Sequence, residues 1–141
     1  MRLSDCYEEG LLKKTKPSRQ YASKSLETSL NYIEDAKDNL NLKNSNLVIF
    51  CCYTAMFHAA RAILFCDGIK ERSHLCVISY IKETYPQLKR LANQLDTYRR
   101  NRHNTLYALD FLISEDEAKQ AIEDAEKFYK KIKEMLEKNI L

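Results

Sequence analysis

The spacing of hydrophobic residues reads as a succession of helices. Ala22, Leu26, Leu30, Ile33, Ala36 and Leu40 fall three or four apart, the period of a helix that buries one face. Pro17 and Ser18 stand before this stripe as start signals, so a long helix is expected from there to about Leu42. A short helix over roughly Ser4–Lys14, with Tyr7 and Leu11 on one face, should precede it. Asn44-Ser45-Asn46 breaks the pattern and offers N-caps. The following stretch, Leu47–Cys66, is apolar on most sides and stops at Asp67-Gly68, glycine being the usual left-handed helix terminator. Ser73 can cap a fourth helix, His74–Tyr85, with Leu75, Ile78, Ile81 and Tyr85 inward and Pro86 at its end. A fifth helix is expected from about Gln87 through a basic run at Tyr98–Tyr107. Ser114-Glu-Asp-Glu117 is a capping box that opens a sixth. There Ala118, Ala121, Ile122, Ala125, Phe128, Tyr129, Ile132, Met135 and Leu136 all keep helical spacing. No segment alternates with period 2, so no sheet is expected. The pattern predicts an all-α fold, an up-and-down antiparallel helical bundle of five to six helices with the third at its centre. Residues 1–141 are expected to form one domain, with a short N-terminal helix in 1–16 and the core bundle in 17–138.

Composition supports that expectation. Two Gly, two Pro and 30% charged residues in 141 leave little punctuation for strands and tight turns. The net charge of +3 neither demands nor excludes nucleic acid, so local clustering decides. Cys6, Cys51, Cys52, Cys66 and Cys76 are odd in number and contain no CxxC, which reads as reduced, mostly buried thiols in a cytoplasmic protein. The N-terminus is polar and acidic rather than signal-like. Leu47–Cys66 has the length of a membrane span, but it contains His58 and Arg61 and lacks an aromatic belt. A buried central helix, with no membrane partner, is the better reading.

The densest chemistry lies in YRRNRHNTLY, Tyr98–Tyr107. Arg99, Arg100, Arg102 and His103 crowd into five residues, with Asp96 as the nearby acid, able to serve Arg99 or Arg100. On a helix Arg100, His103, Asn104 and Tyr107 share one face. Arginine is a fixed bidentate donor to phosphate, and histidine moves protons near neutral pH. If such a site cut RNA, His103 would be the candidate base for a ribose 2′-OH, with Arg99 or Arg100 holding the phosphate and no metal required. The plain alternative is a solvated basic helix face. A second polar track, Thr54, His58 and Arg61, runs along the third helix. Arg61 there either reaches an acid on a neighbouring helix while His58 hydrogen-bonds within the core, or the track lines a cleft or subunit interface. No spacing prearranges metal ligands, and no Gly-rich phosphate loop exists, so neither metal nor cofactor is expected.

The stretch CCYTAMFHAARAILFCDGIKERSH (Cys51–His74) resembles the most recognisable segment of HEPN-domain proteins. The Arg-Asn run after it and the closing SEDEAKQAIEDAEKFYKKIKEML resemble HEPN-domain proteins too, and the N-terminal CYEEGLLKKTKPSRQYA resembles the start of the small stand-alone prokaryotic and archaeal members, so the likeness covers about residues 3 to 138. The resemblance implies an all-α bundle that forms a homodimer and partners a minimal nucleotidyltransferase in a toxin–antitoxin-like pair. It further implies nucleotide or RNA binding, and in active members a metal-independent endoribonuclease whose two motif copies meet across the dimer. That motif is Arg, a polar residue, three others and His, commonly followed by x-Tyr, and the Tyr can be adenylylated by the nucleotidyltransferase. Carried over, Arg100 matches the Arg, Asn101 the polar residue and Tyr107 the Tyr. The His position falls on Thr105, which cannot act as a base near neutral pH, and His103 lies two residues earlier. The resemblance therefore favours a binding module using Arg99, Arg100, Asn101, Arg102 and Tyr107, with a ribonuclease using Arg100 and His103 as the alternative.

Overall fold

A computed structural model describes residues 1–107 and 112–140. Six α-helices and one two-stranded ribbon follow in chain order among them. They are α1 (Leu3–Glu8), β1 (Leu12–Lys14), α2 (Arg19–Asn41), α3 (Ser45–Asp67), β2 (Ile69–Glu71), α4 (His74–Thr84), α5 (Lys89–Tyr107) and α6 (Glu115–Ile140), with a single 3₁₀ turn at Pro86–Leu88 before α5. The fold is the expected all-α, HEPN-like bundle.

The N-terminal segment departs from expectation. The first helix stops at Glu8, because Gly10 takes φ +70° and the Leu11 N–H turns back to the Cys6 carbonyl. The chain then extends, and Leu12–Lys14 pairs antiparallel with Ile69–Glu71, Leu12 opposite Glu71 and Lys14 opposite Ile69. Three-residue strands are too short to display alternation, so the sequence pattern could not reveal them. What holds the ribbon is its contact with the core: Leu12 and Ile69 are both buried.

Start and stop signals explain the longer helices. The Ser18 and Ser73 hydroxyls accept from the backbone N–H groups of Tyr21 and Cys76 at the starts of α2 and α4. At α6 the capping box closes in both directions, Glu117 N–H to Ser114 Oγ and Ser114 N–H to Glu117 Oε1. Gly68 ends α3 at φ +72°, as its position implied. Asn44 sits at the N-cap of α3 without a side-chain capping bond.

α3 packs against α2, α5 and α6 and is touched by α4 and β2. It is long and apolar enough to cross a membrane, but 72% of its apolar window is buried by these neighbours, as befits a core helix. α2 meets it along a face rotated from the predicted stripe. Leu30 is 42% exposed and Leu26 only half-buried, whereas Ser25 and Ser29 are buried. Their hydroxyls donate to the His58 and Ala55 carbonyls, both at 2.6 Å. Serine is small enough to let two helices approach closely, and its hydroxyl finds an acceptor on the facing backbone, so a polar residue fills what spacing assigned to leucine. Across the bundle, the buried α5 residue Tyr98 donates to Asp124 on α6 at 2.6 Å. Burial, and that bond to a carboxylate, raise the Tyr98 pKa.

The expectation of five reduced cysteines is also corrected. Cys6 and Cys76 form a disulfide across 70 residues, joining α1 to α4, while Cys51, Cys52 and Cys66 are free. The pairing arises because α1 docks on α4, a tertiary contact that cysteine spacing does not encode.

Candidate nucleic-acid interface

The basic run occupies the last turns of α5, which continues unbroken to Tyr107. Helical geometry divides it into two sides. On the exposed side stand Arg100, His103 and Tyr107, the last 70% exposed, with the His103 and Tyr107 rings 4.8 Å apart between centroids. On the other side Arg99 and Arg102 are half-buried. The Arg102 guanidinium lies over Phe50 and Tyr53 of α3, 5.7 and 5.6 Å from their ring centroids. Asp96 serves Arg99 and Arg100 together but does not reach Arg102. Its Oδ1 is 3.0 Å from Arg99 Nε and its Oδ2 is 3.3 Å from an Arg100 terminal nitrogen. Thr105 donates its hydroxyl to the Arg102 carbonyl at 2.8 Å, so the residue in the motif's histidine place is tied to its own helix. Asn101 and Asn104 are half-buried between the two sides.

Two residues that sequence reasoning passed over complete the cluster. The Tyr53 hydroxyl and His74 Nδ1 are 2.6 Å apart, and the His74 ring stacks on Phe57 at 3.9 Å. His74 is exposed at the surface, yet desolvation where its ring lies on Phe57, then the positive fields of Arg102, Arg99 and Arg61, hold its pKa below the usual imidazole value. Burial pushes the Tyr53 hydroxyl up to about 12 against the pull of the same two α5 arginines. The arrangement thus sets an imidazole that disfavours protonation beside fixed guanidinium charges, with its Nδ1 already paired to the Tyr53 hydroxyl. Neither stands out in the sequence, because 21 positions separate them and only the packing of α4 against α3 joins them.

The α3 track is linked to this cluster through aromatic rings. Arg61 lies over Phe57 at 5.9 Å, and Phe57 stacks with Tyr53 at 6.1 Å. The acid that Arg61 reaches is Glu71 on β2, not a helix residue. Nε and Oε1 are 2.8 Å apart, an ionic contact without a directed hydrogen bond. The His58 ring stacks on Tyr32 at 5.7 Å, and burial together with Arg61 and His74 lowers its pKa. Thr54 donates to the Phe50 carbonyl one turn back. Among the described residues no group of three or more His, Cys, Asp and Glu side chains converges as a metal site.

The sequence pattern that defines the HEPN domain matches residues 22–135. The chain belongs to the HEPN domain family. The match spans α2 through most of α6, so it includes the basic run, the α3 track and the Tyr53–His74 pair. No curated protein matches the chain. HEPN membership supports a nucleotide- or RNA-related role. This HEPN chain has its candidate chemistry on the edge where α5 meets α3 and α4.

Proposed function

We propose that this HEPN protein is a nucleotide- or RNA-binding module, the partner of a minimal nucleotidyltransferase in a cytoplasmic toxin–antitoxin-like pair, and that it acts as a homodimer with residues 1–141 forming one unit. The observation that carries the binding reading is the charge balance on α5. Arg99, Arg100 and Arg102 share one helical turn, and Asp96 is the single carboxylate paired with any of them among the described residues. A surplus of guanidinium charge on a rigid helix favours polyanionic phosphate. Binding of a short single-stranded RNA should weaken with salt, and Arg100→Ala should reduce both affinity and the salt slope. An unchanged slope would count against phosphate contact. Light scattering at tens of micromolar tests the dimer, and a monomer there would refute it. The pairing is tested by co-purification with the nucleotidyltransferase and by a mass increase on Tyr107, which its exposure leaves open to adenylylation.

A second reading, a metal-independent endoribonuclease, is favoured by one observation: Arg100 and His103 lie on the same exposed face, with His103 against Tyr107. Incubation with RNA in EDTA separates the readings. Cleavage lost in His103→Ala supports the enzyme, whereas RNA bound and uncut by both proteins supports the binding module alone.

A further inference from the structure

We propose that the cavity between the ribbon, the start of α2 and the end of α3 is a second ligand site, shaped for a mononucleotide. The base would lie against Phe65 and Tyr21, and the phosphate on Lys16 and Lys70. The site goes beyond the α5 reading and stands on its own residues.

The cavity has a volume of about 320 Å³, within the range of small-ligand pockets. Its floor is apolar, from buried Leu64 and Ile69, and Phe65 forms a wall. Tyr21 tilts against Phe65, centroids 5.7 Å apart, and is itself 56% exposed, which leaves ring surface for a planar group. Arg61 lies 5.1 Å over the Phe65 ring. A smaller cavity of about 180 Å³ shares Tyr21, Arg61 and Phe65 and adds Lys24 and His58. Arg61 of the sequence's polar track therefore lines both hollows, and His58 lines the smaller one.

Charge selects the ligand class. Lys16, Lys24, Arg61 and Lys70 line the two cavities against one carboxylate, Glu71. Among the described residues none of the three lysines makes an ion pair, and Glu71 is already held by Arg61. Cationic excess beside aromatic faces suits a ligand that is flat at one end and anionic at the other. Glu71 in the same wall can accept from the amino group of a base.

The walls are also fixed in advance. Thr15 N–H bonds the Gly68 carbonyl at 2.8 Å, and Ser18 N–H bonds the Phe65 carbonyl at 2.9 Å. These bonds clamp the segment carrying Lys16 onto the end of α3. Little ordering is then needed when a ligand enters, which favours affinity.

The test is calorimetry with AMP, GMP, CMP and UMP, with inorganic phosphate as the control, on wild type, Lys16→Ala/Lys70→Ala, Tyr21→Ala and Arg99→Ala/Arg102→Ala. The proposal expects at least one mononucleotide to bind more tightly than phosphate. The lysine pair should weaken that binding by about tenfold or more, since hydrogen bonds to charged groups are the strong ones. Tyr21→Ala should weaken it too, and the component of binding lost in the lysine pair should persist in the α5 variant. These substitutions are at exposed or half-buried positions, and circular dichroism confirms folding. No binding at millimolar concentration, binding equal to phosphate, or binding lost only in the α5 variant would overturn the site. The α5 reading is decided separately, by the salt dependence of RNA binding.

Discussion

Reducing the Cys6–Cys76 disulfide should cost this protein much of its stability without changing its core. Both cysteines are fully buried, and reduction adds only hydrogens, so no cavity opens. The cost lies in the unfolded chain, which regains the freedom of a loop closed across 70 residues. On the chain-entropy estimate that is about 4 kcal/mol. Unfolding a chain of 141 residues carries an entropy of about 0.3 kcal/mol per degree. The melting temperature should therefore fall by about 13 °C. The protein is unfolded in denaturant with a phosphine reductant, refolded in its presence, and melted beside an untreated sample. A thiol titration in denaturant accompanies the melt: three thiols should react in the untreated protein, Cys51, Cys52 and Cys66, and five after reduction. Five reactive thiols before reduction, or equal melting temperatures after it, would refute the reasoning.

Other outcomes follow from the same structure. His58 and His74 have folded pKa values below the ordinary 6.5, so the unfolded state binds more protons as pH falls past that value. Their contribution is fully present above about pH 6.5 and is lost as pH falls toward the folded values. Urea midpoints should decline over that window, and His74→Gln should flatten the decline; a midpoint independent of pH would contradict it. Gly68→Ala should destabilise by about 1–3 kcal/mol or more, since φ is +72° and a Cβ would stand 2.5 Å from the Thr15 carbonyl oxygen and 2.9 Å from Pro17 Cδ. Denaturant titration checks it, and a neutral change would mean that the ribbon junction yields freely. Arg100→Ala should reduce the salt slope of RNA binding by about one, because one phosphate contact is removed.

What could be read from the sequence was local. The α6 capping box, the Ser18 and Ser73 caps and the Gly68 terminator depend on neighbours within a few positions, and each appears where the residues implied. The central place of α3 was legible too, since a helix without a wet face must be surrounded. Features made by distant partners were not legible. Leu12–Lys14 becomes a strand only when Ile69–Glu71 lies beside it. The burial of Ser25 and Ser29 depends on which carbonyls of α3 face them. The same holds for the site. The basic run announced itself, but its division into an exposed side and a side lying on α3 rests on the rings of Phe50 and Tyr53 beneath Arg102. The Tyr53–His74 pair exists only through helix packing.

The double duty of Asp96 bears on rates as well as on hold. One carboxylate offsets two guanidinium groups, and Arg100 is the more exposed of them. The field that a negatively charged partner meets at long range is set by the uncompensated sum, whereas the final grip depends on where each arginine points. Asp96→Asn would keep the side chain's shape while adding a full unit to that sum. Association would accelerate, most at low ionic strength, and discrimination among anionic partners would fall. For the proposed phosphate-binding role, Asp96 would thus act as a brake on indiscriminate encounter, built into the helix that carries the arginines.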